Sequence, residues 1–471
     1  MDIQYYDDII IGSGKAGKTL APALVADGRK TALVERSLNM IGGGCPNIAC
    51  VPSKTMVASA EVANTVRNSA AYGINTAPPT VDLAAVIQRK RSVVQSLRPI
   101  NFNNLHTSLG DGLIIGTARF VAPKTIEVAT AEGDTRLLTA ERLFINTGTR
   151  PLIPSVPGLK EAEFLTSESI MELEQLPEHL IVLGSGYIGL EFAQMFQRFG
   201  SRVTVIGQSE QILSQQDPDI AIAVQRLLER DGIEFLLKAK VLRVERSGNA
   251  TKLFLQVADQ EMELQGTQLL VAVGRTPNSE SLNLASAGIA TDARGFIRVN
   301  DRLETNVPNI WALGDINGGP QYTHIALDDY RIVKANLIDG GNRSTRDSEA
   351  LLRSADRLVP SCLFIDPELA HVGLTETEAQ QQGYAIRVAK LDARDITRAQ
   401  TEGKTDGLMK AIIDTETGRI LGCSLLCHEA GEVISTVQMV MQAQMPYTVL
   451  RDGVLTHPTM TEGLNMLFSK F

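Results

Sequence analysis

The chain has 471 residues but only five cysteines, one tryptophan and few aromatic residues. Five cysteines are too few for a disulfide scaffold of this length, and their odd number favours free thiols in a reducing compartment, so we expect a cytoplasmic protein. An aromatic content of 5% fits an α/β architecture better than a β-sandwich. The length predicts about three or four domains rather than one core.

Long cationic runs and long apolar runs are also missing. The formal net charge is −9 and the Lys and Arg residues are not clustered, whereas affinity for nucleic acid comes mainly from clustered cations. No stretch reaches the roughly 18–20 apolar residues of a membrane span. The N-terminus is acidic before its apolar run, unlike the basic start of a signal peptide. We therefore expect neither a nucleic-acid partner nor a membrane partner.

The N-terminal residues predict a βαβ unit. A strand at Asp8–Ile11 leads into GSGKAG, a helix to about residue 27 and a second strand at Thr31–Val34. Glu35 follows at the distance where an acid holds a ribose hydroxyl of a bound dinucleotide. The glycines of this fingerprint provide a tight turn, access for a pyrophosphate and close helix–strand packing, in the order Gly12, Gly14 and Gly17.

The same pattern recurs in the middle of the chain. A strand at Leu180–Leu183 precedes GSGYIG (Gly184–Gly189), a helix to about residue 199 and a strand at Val203–Ile206. Two fingerprints in one chain imply two bound dinucleotides.

Nucleotide preference is set after the second strand of such a unit. An acid there holds the ribose of NAD, and an Arg holds the 2′-phosphate of NADP. This chain has Gly207, Gln208 and Ser209 instead. Because no acid repels phosphate and either Gln208 or Ser209 can donate a hydrogen bond to it, we favour NADPH over NADH.

Two stretches indicate domain boundaries. Arg150–Pro157 contains three prolines and cannot be helical, and Gly340–Asp356 is typical of a linker. Beyond the linker, β-rich stretches at 411–413 and 420–426 precede a helical pattern at 429–443. The predicted fold class is α/β, with two Rossmann-like dinucleotide-binding domains and a C-terminal α+β domain. The predicted segments are 1–150 and 272–350 for the first domain, 151–271 for the second and 357–471 for the third.

The segment GGGCPNIACVPSK (Gly42–Lys54) places Cys45 and Cys50 in one short motif. Pro46 suits a first helical position, so we predict that Cys45 caps a helix and that Cys50 lies one turn inside it. Both sulfurs would then be near the positive helix end, which lowers the pKa of a thiol and raises its reactivity. The motif predicts a redox-active thiol pair beside a flavin.

Further motifs extend this pattern over essentially the whole chain: INTG at Ile145–Gly148, VAVGRTPN at Val271–Asn278, TNVPNIWALGD at Thr305–Asp315 and HPTMTE at His457–Glu462. With these motifs the chain resembles the class I pyridine nucleotide–disulfide oxidoreductases, the family of glutathione reductase, lipoamide dehydrogenase and mercuric reductase. The resemblance implies FAD and NAD(P)H as cofactors, and a homodimer in which the C-terminal domain is the dimerisation domain.

The resemblance also implies which residues bind the cofactors. FAD is expected at Gly12, Gly14, Gly17, Glu35, Gly43, Gly44, Thr147, Gly148, Gly314 and Asp315. NAD(P)H is expected at Gly184, Gly186, Tyr187, Gly189, Gln208 and Gly274. Within these sets, Asp315 is expected to bind the flavin ribityl chain and Tyr187 to cover the nicotinamide pocket as a gate.

An electron path from NAD(P)H through FAD to the thiol pair and an external acceptor follows from the same resemblance. Cys45 is the expected outer thiol and Cys50 the inner thiol beside the flavin. Lys54 is expected near the flavin and paired with Glu191. The expected acid–base pair reaches the thiols of the other subunit, so that each site of the dimer is shared; it consists of His457 and Glu462.

The acceptor is where the chain departs from the common family pattern. Pro46 and Ala49 replace an aliphatic residue and a glycine, and both changes stiffen the loop. The final residues LNMLFSKF lack the vicinal cysteines of mercuric reductases, so we expect no such metal relay. The segment Tyr322–Val333 and the C-terminal run resemble a reactive-chlorine-resistance branch associated with reduction of Cu(II) and sometimes Hg(II). We therefore favour a metal ion or an oxidant-derived acceptor, with a transient substrate ion at Cys45 and Cys50 and no structural metal.

Other interpretations stay open. The chain is alternatively a reductase of small disulfides, a lipoamide-dehydrogenase-like docking subunit, or a sensor whose thiols do not turn over. For His324 we favour a capping or hydrogen-bonding role over tuning of the flavin or a metal contact. The remaining cysteines are interpreted as core residues rather than a second redox site, namely Cys362, Cys423 and Cys427.

Overall fold

The computed structural model describes residues 2–130, 132–248, 250–258, 260–345 and 357–471. The predicted linker Gly340–Asp356 and the predicted domain end at residue 350 lie partly or wholly outside the described residues. The strands are β1 (Ile3–Ile11), β2 (Thr31–Glu35), β3 (Leu113–Ala122), β4 (Thr125–Thr130), β5 (Thr135–Ile145), β6 (Thr149–Pro151), β7 (His179–Leu183), β8 (Arg202–Ile206), β9 (Glu234–Leu236), β10 (Ala239–Ser247), β11 (Ala250–Val257), β12 (Gln260–Gly266), β13 (Gln268–Val271), β14 (Arg275–Pro277), β15 (Ile310–Ala312), β16 (Ser361–Leu363), β17 (Glu368–Gly373), β18 (Ile386–Asp392), β19 (Leu408–Asp414) and β20 (Ile420–Cys427). The α-helices are α1 (Lys15–Ala26), α2 (Gly44–Ile48), α3 (Cys50–Arg67), α4 (Leu83–Leu109), α5 (Tyr187–Phe199), α6 (Pro218–Arg230), α7 (Thr323–Leu337), α8 (Glu376–Gln381), α9 (Thr397–Thr401), α10 (Ala430–Gln442), α11 (Thr448–Asp452) and α12 (Gly463–Phe468).

The chain divides into two compact units. The first contains Met1–Thr55, Gln88–Leu152 and Arg275–Asp347, and the second contains Met56–Ile87, Ile153–Gly274 and Ser348–Phe471. The division falls inside α3 and α4. The strands and helices of both fingerprints form where they were predicted, and the fold class predicted from the sequence, α/β with Rossmann-like units and a C-terminal α+β domain, is confirmed.

A six-stranded sheet is the centre of the first unit. In it β1 pairs in parallel with β2 and with β5, and β15 pairs in parallel with β5. Ile9, Ile10 and Ile11 of β1 are at most 4% exposed and alternate between two apolar clusters, one on each face of the sheet. Because both faces of such a parallel strand are covered, its sequence is a continuous apolar run. The carboxyl ends of these strands meet at one edge, where dinucleotides bind in such sheets.

In the second unit, β7 and β8 are the central strands of a parallel sheet in the order β13-β7-β8-β9. A small antiparallel sheet follows in the order β10-β11-β12, and the C-terminal part forms an antiparallel sheet in the order β16-β17-β20-β19-β18. Along β20, Cys423 and Cys427 are at most 1% exposed, and burial raises the pKa of Cys427 to about 12. Cys362 lies in β16 and packs against the apolar cluster that contains Cys423 and Cys427. The interpretation as core residues is confirmed for Cys423 and Cys427, whereas Cys362 is partly buried at the edge of the core.

No helix among the described residues combines the length and the apolar character that a membrane crossing requires.

A buried cation stabilises the C-terminal sheet against the N-terminus of α6. Lys410 of β19 is 2% exposed, and its Nζ lies 2.9 Å from Asp217 Oδ2, 3.1 Å from Asp219 Oδ1 and 2.8 Å from Glu376 Oε2. Asp217 is itself only 4% exposed. Removal of the ammonium leaves a buried carboxylate without its charge partner, which is the costly way to break a buried ion pair.

We expect Lys410→Met to lower the free energy of unfolding by about 3–5 kcal/mol, because Asp217 stays buried and loses its cation. The matched control is Lys390→Met, since Lys390 pairs with Asp219 at 2.6 Å but is half exposed, and its loss should cost about 0–1 kcal/mol. Urea unfolding followed by circular dichroism measures both. Equal effects of the two substitutions would contradict the buried-pair argument.

Candidate active site

The two cysteines of the thiol motif begin different helices. Cys45 is the second residue of the short helix α2, whose N-cap is Gly43, and Cys50 is the first residue of α3. The backbone of Ala49, at φ −133° and ψ −103°, lies outside the helical region and separates the two helices. The prediction that Cys45 caps one helix with Cys50 a turn inside it is therefore wrong, and Pro46 occupies the third position of α2.

A close backbone contact holds the thiol motif against the first fingerprint. A Cβ atom on Gly43, whose φ is +81°, would lie 2.6 Å from the Cα atom of Gly14. Asn47 fixes the same loop, since its Nδ2 donates to the carbonyls of Ile41 at 3.0 Å and of Gly43 at 2.8 Å. The loop therefore reaches the turn at the start of α1 only because both contacting residues are glycines.

Neither Cys45 nor Cys50 forms a disulfide, and the two thiols are in hydrogen-bond contact with each other. Cys50 is exposed, Cys45 is partly buried, and the Cys50 sulfur lies 3.6 Å from Thr323 Oγ1. The hydrogen bond with Cys50, burial, and the charge of Cys50 raise the pKa of Cys45, while the Thr323 hydroxyl and the Lys18 ammonium oppose this shift. For Cys45 the predicted lowering of the pKa is thus wrong, because the neighbouring sulfur and burial outweigh the helix end.

Glu35 is 6% exposed at the end of β2 and holds the fingerprint turn. Its Oε2 accepts hydrogen bonds from the backbone N of Ser13 at 2.9 Å and from Ser13 Oγ at 2.7 Å. Ser13 Oγ in turn accepts from the backbone N of Gly42 at 3.1 Å. The carboxylate therefore positions Ser13 and, through it, the thiol loop, which begins at Gly42 and carries Cys45. The contact of Glu35 with a ribose hydroxyl stays a prediction.

Asn146 joins two of the sequence motifs and was missed by sequence reasoning. Its Oδ1 accepts from the backbone N of Gly17 at 3.0 Å, and its Nδ2 donates to the carbonyl of Leu313 at 2.6 Å. Asp329, also missed, accepts from the backbone N of Gly314 at 2.7 Å. Asn146 lies in the INTG motif beside Thr147 and Gly148, which were both predicted to bind FAD. Its place in that motif could therefore have identified it from the sequence.

Asp315 lies in the 3-10 helix Gly314–Asn317. Its Oδ2 accepts a hydrogen bond from Thr149 Oγ1 at 3.0 Å, and burial raises the pKa of its carboxyl. Thr147 and Gly148 follow β5, and Thr147 Oγ1 donates to the carbonyl of Asn278 at 3.0 Å. Gly12, Gly14, Gly17, Gly43 and Gly44 lie in or beside the turns that begin α1 and α2.

The second fingerprint lies in the second unit. Gly184 follows β7, Gly186 is the N-cap of α5, Gly189 lies inside α5 and Gly274 follows β13. Tyr187 is the first residue of α5, and its hydroxyl accepts a hydrogen bond from Gln216 Nε2 at 3.0 Å.

Gly207, the residue after β8, lies close to two side-chain ends. A Cβ atom on Gly207 would lie 2.7 Å from Ser185 Oγ and 2.9 Å from Leu237 Cδ2. Any side chain at this position therefore requires its neighbours to move. Gln208 follows it and is exposed.

Lys54 and Glu191 belong to different units. Lys54 lies in α3 within the first unit, and Glu191 is 8% exposed in α5 of the second unit. Glu191 Oε1 accepts a hydrogen bond from the backbone N of Phe364 at 3.0 Å. The pairing of Lys54 with Glu191 stays a prediction.

His457 and Glu462 lie together in the segment between α11 and α12. The Nδ1 atom of His457 is 2.9 Å from Oε2 and 3.0 Å from Oε1 of Glu462, and the imidazole is exposed. A carboxylate beside Nδ1 requires a proton on that nitrogen, which leaves Nε2 as the basic one. The pair has the geometry that proton transfer needs, and its partner thiols stay a prediction.

His324 is the second residue of α7 and is exposed. Its ring stacks on Tyr322 at 5.2 Å between centroids. Thr323, the neighbour that contacts Cys50, was missed, although the segment Tyr322–Val333 was singled out by its sequence.

Comparison with known proteins assigns the family. The model of the pyridine nucleotide-disulphide oxidoreductase family matches residues 6–329, and the model of its dimerisation domain matches residues 359–467. The chain belongs to this family. It is therefore an oxidoreductase that uses FAD and NAD(P)H, of the flavin-dependent type that acts on disulfides or metal ions, as its motifs predicted.

Relatives of this pyridine nucleotide-disulphide oxidoreductase include both groups suggested by its sequence. Escherichia coli RclA, a probable pyridine nucleotide-disulfide oxidoreductase, is 41% identical over 465 residues, 98% of this chain and 99% of RclA. The mercuric reductase of Bacillus cereus is 35% identical over 99% of this chain and 71% of its own length. A solved Cu(II) complex of the HOCl-induced flavoprotein disulfide reductase RclA from E. coli matches all of both chains, with 40% identity and a TM-score of 0.89. The predicted resemblance to the reactive-chlorine-resistance branch is confirmed.

The residues of the first unit fit FAD. Within the described chain no side chain caps α1 and no acid lies in its first turn, so the N–H groups at Gly14 suit a pyrophosphate. Glu35 and Asp315, each at the end of a strand or just beyond one, offer carboxylate acceptors for the hydroxyls of the ribose and of the ribityl chain.

We expect Cys50→Ala to speed alkylation of Cys45 in the reduced enzyme at pH 8. The substitution removes the hydrogen bond and the charge that raise the pKa of Cys45, so the thiolate fraction rises by about tenfold for each unit that the pKa falls. Anaerobic reaction with iodoacetamide, followed by mass spectrometry of the Cys45 peptide, measures the rate. Cys423 is the internal control, since it is 1% exposed and should stay unmodified. A slower reaction of Cys45 in the variant would contradict the assignment.

Proposed function

We propose that this chain is a homodimeric, cytoplasmic NADPH-dependent reductase whose Cys45–Cys50 pair delivers electrons to a thiophilic metal ion, with Cu(II) favoured. The observation that carries the proposal is the contact between the reduced thiols of Cys45 and Cys50, with Cys50 exposed and Thr323 beside it. Soft thiolate ligands suit copper and mercury ions. The similarity to RclA, for which a Cu(II) complex is known, and to mercuric reductases supports the same acceptor class.

The thiol step balances with two metal ions. The dithiol gives one electron to each of two Cu(II) ions, forms the Cys45–Cys50 disulfide and releases two protons, and two Cu(I) ions leave. When bound, FAD supplies the two-electron relay between NADPH and the disulfide.

In this proposal the chain's own residues bind and orient the reactants. The open N-termini of α1 and α5 bind the two dinucleotides, and Tyr187 covers the nicotinamide pocket. Gln208 donates to the 2′-phosphate, which an acid at Gly207 would repel.

The dimer completes the site in this proposal. The match to the dimerisation domain supports a homodimer. His457 of one subunit reaches the Cys45 thiol of the other and moves a proton at Nε2, while Glu462 holds Nδ1. Each active site therefore belongs to two chains.

We expect Cys45→Ala to abolish NADPH-dependent Cu(II) reduction, because the remaining thiol cannot form the disulfide that supplies the second electron. An acceptor panel of Cu(II), Hg(II), glutathione disulfide and lipoamide, run with NADPH and with NADH, measures the loss. Cys423→Ala is the control, since Cys423 lies in the core of the C-terminal sheet. Turnover of Cu(II) that survives in Cys45→Ala would overturn the thiol pair as the exit route, and lipoamide as the best acceptor would favour a dehydrogenase.

We expect His457→Gln to separate the two acceptor classes. Reduction of an external disulfide requires a proton on the leaving thiolate, so loss of this general acid should slow the best disulfide of the panel by about 10²–10⁴-fold. Reduction of Cu(II) releases protons and should fall much less. The control is His106→Gln, because His106 lies on α4 and stacks on Phe102. Equal losses with both acceptors would contradict the proton-transfer role of His457.

A further inference from the structure

The Tyr187 hydroxyl is held from two sides. It accepts a hydrogen bond from Gln216 Nε2 at 3.0 Å and makes a second with the Ser361 side chain. Gln216 belongs to the loop between β8 and α6, and Ser361 is the first residue of β16. Ser361 is 8% exposed. Three segments that are distant in sequence therefore converge on one phenol oxygen.

The Gln216 amide is only half satisfied. Nε2 donates to Tyr187, but Oε1 is buried and has no hydrogen-bond partner among the described residues. Exchange of the two amide atoms would keep the contact with the hydroxyl and leave the other atom unsatisfied. A buried amide with one unsatisfied atom adds little to the stability of the fold. We therefore interpret the hydrogen bond to Tyr187 as the role of the Gln216 side chain.

The same loop touches the second fingerprint and begins at the predicted 2′-phosphate position. Leu213 is 4% exposed and has a φ of +48°, a strained value for a branched side chain. Its backbone N donates to the carbonyl of Ser185 at 3.1 Å, and its carbonyl accepts from the backbone N of Gln216 at 2.8 Å. The loop that starts at Gln208 is thus tied to both ends of the nucleotide site.

We propose that Gln216 and Ser361 are positioning residues that latch the Tyr187 hydroxyl, so that nicotinamide binding must first release a hydrogen-bonded gate. The inference rests on the proposed function in one respect, namely that Tyr187 covers the nicotinamide pocket. The latched arrangement competes with the nucleotide, and its hydrogen bonds set the apparent affinity. Loss of the latch should therefore tighten nucleotide binding, whereas damage to a merely structural contact would weaken it.

The test measures the Kd of the holoenzyme for NADP⁺ by isothermal titration calorimetry, a readout that needs no electron acceptor. NAD⁺ is titrated in parallel. Tyr187→Phe keeps the ring and removes the hydroxyl, Gln216→Met keeps the length and removes the amide, and Ser361→Ala removes the second contact. We expect each single substitution to lower Kd by about two- to tenfold, the value of one hydrogen bond. The Tyr187→Phe/Gln216→Met double variant should bind no more tightly than Tyr187→Phe.

Gln225→Met is the matched control, because Gln225 lies exposed on α6 and donates to Glu229 at 2.7 Å; its Kd should equal that of the wild type. The latch is overturned if Tyr187→Phe leaves Kd unchanged or raises it, or if the effects of Tyr187→Phe and Gln216→Met add. Tyr187→Ala tests the gate itself, separately from the hydrogen bonds that latch it. If it tightens binding while Tyr187→Phe does not, only the latch fails. If Tyr187→Ala also leaves Kd unchanged, the gate assumed in the proposed function fails as well.

Discussion

The contact between Gly43 and Gly14 is the constraint on which the site depends. A Cβ atom at Gly43 would lie 2.6 Å from Gly14 Cα, so the thiol loop and the turn that begins α1 approach as bare backbone. Ser13 reinforces this contact by joining Glu35 to the backbone of Gly42. The edge of the first sheet that suits a pyrophosphate is therefore also the edge that carries the cysteines. Any side chain at Gly43 would move Cys45 away from the fingerprint.

The pKa of Cys45 is set by several opposing effects. The second sulfur and burial make ionisation of Cys45 harder, while Thr323 and Lys18 make it easier. Within one chain the balance of these effects raises the pKa of Cys45. Exchange with a disulfide acceptor needs an acid–base group at that thiol, and the His457–Glu462 pair has the geometry to meet this need. This need is the physical reason for a shared site in the proposed dimer.

Local patterns identified the two nucleotide units and part of the C-terminal domain. The runs Asp8–Ile11 and Leu180–Leu183 became buried parallel strands because each is apolar and ends in a glycine turn. The helix around the cysteines was predicted poorly, since Pro46 is compatible with more than one position in a first turn. Asn146 and Asp329 were missed because each acts through backbone groups of residues distant in sequence, and spacing alone does not show such contacts.

By itself the sequence determined the chemistry of the protein. The two glycine fingerprints and the paired cysteines are short, contiguous motifs whose residue types suit dinucleotides and thiol redox chemistry, so they are recognisable without coordinates. Only the tertiary structure decided which side chains surround those motifs. Thr323 beside Cys50, Ser13 between Glu35 and the thiol loop, and Gln216 on Tyr187 each join segments separated by many residues. Such pairs arise from the packing of whole elements, and no local propensity encodes them.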